Sequence, residues 1–449
     1  MAEGGRRSDS PVLDDGAKVA VIGGGPTGSF FSIFALKMAK MIDMDLEITI
    51  FEQKDFSQKG PGGCNRCGGV ISELLVQTLA VEGINLPDSV IRKGINSYNL
   101  HTDQGDVYIA TPSLDKSIAT VHRGGGPRGV SGTEKDSFDN FLLGRAVEEG
   151  AVLSPAKIDG VERKNGRPRL FSKGQEMGEF DLVVGAFGLS SKTAKLFEGA
   201  GFGYRRPEMI TAAMGEVALE GSVVSECFGN SIHLFLLPTK DIKFAAIIPK
   251  DNYVTVCILG KNVTGKVVDD FIAHPKVRAV FPESAPVQLS CRCFPRMNVG
   301  APKKPFADRM VMCGDAGSTR LFKDGIGAAY IMGKAAAKTV VFEGVGAEHF
   351  QKHYYPVYRE IVIDNLYGRF LFAVTDLYRK NSVFCRGMLS VVNSEQKRAD
   401  SSKVLSSILW DMFTGNERYK SVFQRTLDVK MNMEQVKNMM KILAGRGHG

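Results

Sequence analysis

The stretch Ala17–Glu52, "AKVAVIGGGPTGSFFSIFALKMAKMIDMDLEITIFE", reads as strand, glycine turn, helix and second strand. Val19 to Ile22 are a short apolar run, and Pro26 suits a first helical turn. Phe30, Phe34, Met38 and Met41 recur on one helical face, after which Leu46 to Phe51 form a second apolar run that ends in Glu52. This is half of a doubly wound parallel sheet.

The turn places Gly23, Gly25 and Gly28 at G-x-G-x-x-G spacing, with Pro26 and Thr27 opening the helix. Chemistry at such a turn needs a tight backbone, close approach to a pyrophosphate, and close packing of helix on strand. The helix N-terminus then faces the phosphates. Glu52, followed by Gln53, stands where an acid accepts hydrogen bonds from an adenosine ribose.

The same spacing recurs at Gly124, Gly126 and Gly129 in "HRGGGPRG", but "VSGTEKD" intervenes before the helical pattern of Ser137 to Glu149. No helix opens at that turn, so the dinucleotide reading does not apply. It is read as a mobile glycine loop, or as one in which Arg123 and Arg128 grip a phosphate of a substrate or a nicotinamide cofactor. A hairpin and a buried strand follow, in "AVLSPAKIDGVERKNGRPRLFS" and "GEFDLVVGAFGLSSKTAKLF". The extended runs "ITAAMGEVAL", "SIHLFLLP", "KFAAIIP" and "YVTVCILG" then predict a β-rich insertion suited to a substrate domain.

The chain has 449 residues, 43% of them hydrophobic and 24% charged, which suits a soluble protein of two or three domains. No apolar run is long enough to span a bilayer, and "MAEGGRRSDSPVLDDG" lacks a signal-peptide core. That start is expected to be a disordered leader, residues 1–16, on a cytoplasmic protein. Eight cysteines are too sparse for a secreted disulfide scaffold. The net charge of +8 is concentrated toward the C-terminus, where Lys397 to Gly449 hold ten Lys or Arg against five Asp or Glu. Without a dense basic run or a reading motif, nucleic acid is not expected as a partner. Met433, Val436, Met440 and Leu443 share a helical face near Lys437 and Lys441. The tail is read as a helix docked by that face, or as a peripheral membrane contact. His349 and His353 share i, i+4 spacing without further ligands, and no metal is expected.

A second motif carries a resemblance. Gly314-Asp315-Ala316 follows a strand, and Gly325-Ile326-Gly327-Ala328-Ala329 opens a helix, as in the FAD-binding flavoproteins with the p-hydroxybenzoate hydroxylase-like fold. The resemblance implies that Asp315 holds ribityl hydroxyls. It also implies that the N-terminus of the Gly325–Val341 helix meets the flavin's pyrimidine edge. Within that superfamily, Pro61 followed by Cys67-Gly68-Gly69, together with the helical last third, resembles the geranylgeranyl reductase family from Lys18 to Leu443. Its members use reduced FAD to hydrogenate isolated double bonds of polyprenyl chains.

The implied fold is α/β: a Rossmann-like FAD-binding domain (17–90, 137–205 and 291–345), a β-rich substrate domain (91–136 and 206–290) and a helical C-terminal region (346–449). Cys67 would face the reacting alkene, and Gly68 and Gly69 would let the backbone approach the ring. The substrate cavity would involve Phe244, Ala246, Ile248 and Pro249, where Ala246 replaces the family's Trp and predicts a wider cavity. Phe187-Gly188 stands where flavin hydroxylases carry Asp-Gly, which argues against a typical aromatic hydroxylase and leaves NAD(P)H or another donor open. The expected partner is a hydrophobic small-molecule or lipid substrate. A monooxygenase, a dehydrogenase and a non-catalytic electron carrier are the alternatives. A halogenase ranks last because its tryptophan motif is absent and the only Trp is Trp410.

"GPGGCNRCGGVIS", Gly60 to Ser72, stays open among three readings. Cys64 and Cys67 could join Cys291 and Cys293 around a metal, or exchange electrons with FAD as a dithiol. Alternatively the motif divides, with Cys67 facing the active site and Cys64 shaping the loop.

Overall fold

The computed structural model describes residues 11–128, 130, 136–283, 287–398 and 403–445. β1 (Ala17–Ile22), α1 (Pro26–Lys40) and β2 (Leu46–Phe51) match the reading of the opening stretch. β1 is buried at nearly every position, as a central parallel strand covered on both faces must be. It pairs in parallel with β2 and with β3 (Leu182–Gly185). The six-stranded sheet runs Phe306–Ala307, Met310–Met312, β3, β1, β2, Val152–Ser154. α2 (Gly325–Phe342) lies against α1, where a Cβ on Gly333 would stand 3.1 Å from both Phe31 N and Thr27 O.

The four predicted extended runs enter a second, eight-stranded sheet, three as β4 (Met209–Ala218), β5 (Ile242–Pro249) and β6 (Tyr253–Gly260) and the fourth as Ser231–Phe235. With the unpredicted β7 (Leu289–Cys293), β4, β5 and β6 pair antiparallel in the order β7-β4-β6-β5. Beyond β5 come Ser231–Phe235, Ser97–Thr102 and Gly105–Ala110. The boundary drawn at residue 291 thus falls inside a strand of this sheet, and Arg296–Asn298 pairs with β4 as well. Alternation along β5 decides the two cores. Ala245 and Ile247 face a cluster with Phe228, Val268 and Phe271. Phe244, Ala246 and Ile248 face the C-terminal helices through Leu371, Phe372, Leu409 and Trp410.

Those helices are α3 (Tyr355–Lys380), α4 (Ser382–Lys397), α5 (Val404–Phe413), α6 (Tyr419–Arg425) and α7 (Val429–Gly445). Trp410 is a structural residue here: its ring lies 4.5 Å from that of Tyr98 and its Nε1 donates to Lys116 O at 3.0 Å.

Two expectations about the ends are corrected. Residues 11–16 are not a disordered leader: Leu13 is buried, Pro11 O accepts from Val345 N at 2.8 Å, and Gly16 N donates to Asp45 O. Residues 1–10 lie outside the described part. At the other end, α7 docks by Met431, Gln435 and Met439, with Met439 seated on Gly387 of α4. Met433, Val436, Met440 and Leu443, expected on the docked face, are exposed. The helix carries two apolar faces, and the gap left by Gly387 selected the other one.

The second sheet also buries a histidine pair. His101 Nε2 and His233 Nδ1 share a hydrogen bond of 3.0 Å, and His101 Nδ1 lies 3.3 Å from Asp106 Oδ2, which pairs with Lys276.

Candidate functional site

The first glycine turn is held by close contacts. A Cβ on Gly28 would lie 1.9 Å from Gly23 O, so helix and turn pack as tightly as backbone allows. Gly25 is less crowded: a Cβ there would meet only Asn65 Nδ2, at an ordinary contact distance of 3.7 Å. It also begins α1 without a side-chain cap, leaving the helix N-terminus free to meet an anion. Glu52, at the end of β2, accepts from Gly24 N and Lys54 N, both at 2.9 Å, while Gln53 is exposed. An uncrowded glycine, an uncapped N-terminus and an acid at the strand end fit a dinucleotide's pyrophosphate and ribose.

The second motif meets the first directly. Gly314 adopts φ +59°, and a Cβ there would stand 2.0 Å from Thr27 Oγ1. The carbonyls of the motif are pinned, Asp315 O by Asn298 Nδ2 and Ala316 O by the Tyr204 hydroxyl at 2.8 Å. Burial pushes the Asp315 carboxyl up, with Thr319 and Arg123 offsetting part of the effect. An acceptor so placed suits polyol hydroxyls. At the head of α2 the expectation needs revision: Asp324, at φ +48°, caps the helix and takes the Gly327 N–H at 3.0 Å. Gly325 and Ile326 precede that capped position, so fewer free N–H groups face a flavin edge than the motif alone suggests.

Arg123, proposed for a phosphate, is engaged elsewhere. Its Nε and Nη2 bind the buried Asp139 carboxylate at 2.6 and 2.8 Å. Burial opposes the guanidinium charge, but Asp139 more than compensates and raises its pKa. That edge of the guanidinium therefore belongs to the scaffold. Asn65 Nδ2 joins Asp139 at 2.7 Å, and Lys54 Nζ joins Asn65 Oδ1 and Cys64 O, tying the cysteine loop to the end of β2.

The second glycine loop owes its composition to packing. Gly60 N donates to Gly126 O, Gly125 N to Gln58 O and Asn65 N to Arg123 O. A Cβ on Gly124 would lie 2.8 Å from Cys64 N. The two loops lie backbone against backbone, and their glycines make that approach possible. Gly129, and the neighbouring residues 131–135, lie outside the described part.

The Cys67-Gly68-Gly69 segment sits on the second sheet. A Cβ on Gly68 would meet Ile248 Cδ1 at 2.9 Å and Cys257 Sγ at 3.2 Å, and one on Gly69 would meet Val121 O at 2.2 Å. The side-chain directions of both glycines are therefore filled by protein. A residue that the sequence did not single out holds the segment there. Lys250 Nζ, buried, donates to Gly68 O at 2.8 Å, Gly69 O at 2.9 Å and Val121 O at 3.1 Å. Burial lowers its pKa to about 8, while Cys67, Cys257 and Glu216 work to raise it. The only sequence signal was a lysine closing the apolar run "KFAAIIPK".

Glu216 was also missed. It lies within β4, accepts from Cys291 Sγ at 3.2 Å, and its carboxyl is pushed up by burial. Burial, then neighbouring charges, pushes the Cys257, Cys291 and Cys293 thiols up, with Cys67 acting on Cys257 and Cys64 on Cys291 and Cys293. All eight cysteines are free, and among the described residues no group of three or more His, Cys, Asp or Glu is placed to hold a metal. Cys64 Sγ accepts from Arg66 N, a local turn contact.

From Gly68 the apolar wall continues through Ile248 and Ala246 to Phe244, Pro249 lying at the end of the same strand. The Phe244 ring stacks on Phe372 at 5.6 Å and meets Phe413 and Phe322 edge-on. Ala246 is itself buried, so the widening expected there does not open to solvent.

No protein-family model and no curated protein matches the chain. Solved structures do. A geranylgeranyl bacteriochlorophyll reductase-like protein from Thermoplasma acidophilum superposes with a TM-score of 0.64 at 16% identity, over 92% of this chain and 98% of that one. The flavin-dependent brominase Bmp2 gives 0.63 at 15% identity, again over 92% and 98%. A flavoprotein/dehydrogenase from Cytophaga hutchinsonii gives 0.59 at 15% identity, over 96% and 98%. The chain thus has the fold of FAD-dependent reductases and halogenases.

Proposed function

We propose that this chain is an FAD-dependent oxidoreductase that reduces carbon–carbon double bonds of an apolar, isoprenoid or lipid-like substrate. The observation that carries the reading is the Lys250 clamp, which seats Cys67-Gly68-Gly69 on the apolar face of β5. One loop thereby joins the cofactor-binding parts to a wall made of Ile248, Ala246 and Phe244. The chemistry that reduced FAD would supply at this site is hydride to one alkene carbon. The chain's own residues bind and orient: Gly25 and the α1 N-terminus receive the pyrophosphate, Glu52 the ribose, and Asp315 the ribityl hydroxyls. The apolar wall keeps water from the alkene.

The second alkene carbon needs a proton. Cys67 is one candidate donor, and Glu216, whose buried carboxyl favours the protonated form, is another. The electron donor that reduces the flavin is NAD(P)H or a protein reductant. Supporting tests are anaerobic turnover of a polyprenyl substrate with chemically reduced FAD, read by mass spectrometry as a gain of two hydrogens. Oxygen-dependent product with no alkene reduction overturns the reading.

A second reading has a specific observation in its favour. The brominase superposes almost as well as the reductase-like protein, 0.63 against 0.64. The fold therefore does not rank halogenation or oxygenation below reduction, whatever the missing tryptophan motif suggested. Product formation that requires both oxygen and bromide would select it.

A further inference from the structure

α7 presents an apolar stripe to solvent. Met433 is 60% exposed, Met440 64% and Val429 67%, and Val436 and Leu443 are exposed beside them. At 3.6 residues per turn these five side chains fall within an arc of roughly 80°. Lys430, Lys437 and Lys441 occupy the adjoining arc on one flank, and all three are exposed. Lys437 and Lys441 stand beside Met433, Val436 and Met440 on the same exposed side of α7.

Other apolar side chains of the C-terminal region are exposed too. Leu427 precedes α7, exposed, and Leu366 and Phe370 of α3 are exposed as well. Phe370 packs on Phe423 of α6 at 5.4 Å, and Tyr378 of α3 holds the docked face of α7 through Gln435 at 2.6 Å. Among the described residues, the carboxylates of this segment are occupied. Glu434 pairs with Arg398 and Asp428 caps the start of α7. A second copy docking here would set the same unneutralised lysines against one another, whereas an anionic surface would neutralise them.

We infer that α7 lies on the headgroup region of an anionic lipid bilayer, its Met and Val side chains in the acyl boundary and its lysines at the phosphates. Apolar insertion and lysine attraction act together, because long basic side chains reach the interface while their stems stay apolar. No helix among the described residues is long and apolar enough to cross a membrane, so the contact is interfacial. The placement suits a lipid-like substrate. α4, on which α7 rests, buries Met388 and Val391 in the same core as Phe244, Ala246 and Ile248. The inference adds a location to the function proposed above, but its test involves no turnover, so either can fail alone.

The test is co-sedimentation of the full chain with vesicles of phosphatidylcholine, with and without phosphatidylserine. Binding to the phosphatidylserine vesicles that weakens with added salt is expected. Lys430→Glu, Lys437→Glu and Lys441→Glu combined should lower the partition coefficient roughly tenfold or more. Met433→Ser with Met440→Ser should lower it on the same vesicles. Lys164→Glu, an exposed hairpin position far along the chain, should leave it unchanged. Circular dichroism and thermal melting are expected to match wild type, since none of these side chains is buried. Absent binding, binding indifferent to phosphatidylserine, or variants that bind like wild type would overturn the inference. So would a dimer in light scattering that the same substitutions dissolve while vesicle binding is missing.

Discussion

Gly314 and Thr27 are in contact: a Cβ on Gly314 would overlap the Thr27 hydroxyl at 2.0 Å. The two glycine motifs thus meet at a position where one residue has no side chain. Gly314→Ala must also hold φ near +59°, which costs about 1–2 kcal/mol before the overlap is counted. A loss of about 2 kcal/mol or more in denaturant unfolding is expected, with less flavin retained through gel filtration. Thr27→Ala alone should be mild, and combined with Gly314→Ala it should recover part of the loss, since neighbours in contact are not additive. Strict additivity would show that the overlap is irrelevant.

Lys250→Met removes a donor from the carbonyls of Gly68, Gly69 and Val121, of which Gly69 O keeps the Val121 N–H at 2.8 Å. At ~1–3 kcal/mol for each carbonyl left unsatisfied, a cost of about 2 kcal/mol or more is expected, with faster hydrogen exchange from Cys67 to Val70. An unchanged exchange pattern would remove the clamp from the account.

The same lysine makes a pH-dependent contribution. Its pKa is about 8 when folded and about 10.4 when unfolded, so between these values the unfolded chain holds more protons at this group. Unfolding free energy from this group therefore rises with pH across that window, by at most ~1.4 kcal/mol per pH unit. Subtracting the Lys250→Met profile from the wild-type profile should expose that positive slope. A flat difference between pH 8 and 10 contradicts it.

His233 acts in the acid range with the same sign. Burial, then the neighbouring His101, lowers its pKa to about 3, against about 6.5 unfolded. Below pH ~6.5 the unfolded chain takes up the proton first, so stability falls as pH drops toward 3. His233→Gln should flatten that loss in urea titrations at several pH values. A variant as acid-sensitive as wild type would locate the sensitivity elsewhere.

On the function proposed above, Cys64 and Cys67 have different roles. Cys64 takes the Arg66 N–H within its own turn, and Cys67 sits on the segment clamped by Lys250. Cys64→Ser should keep activity within about fivefold, as a local contact worth ~1 kcal/mol implies, whereas Cys67→Ser should lose most of it. Equal losses would point to a redox dithiol instead.

Much of this was legible in the residues. Periodicity and glycine spacing identified β1, α1 and β2, because those patterns follow from local geometry and from which faces must be dry. The extended runs of the second sheet were equally clear. What stayed hidden depends on partners distant in sequence. Arg123 looked available to a phosphate until Asp139 filled its fork, and the glycines of residues 124–126 looked like a ligand loop until they packed on Gly60–Asn65.

By itself the sequence determined a dinucleotide turn, an acid at the next strand end and a second flavoprotein-like motif, since each is written in residues close together along the chain. Only the tertiary structure decided which face of α7 is buried, that Lys250 clamps the Cys67 loop, and that Glu216 lies among the thiols. The physical reason is common to all three. Burial and hydrogen bonding of a side chain are set by whichever segment folds against it, and local pattern carries no record of that segment.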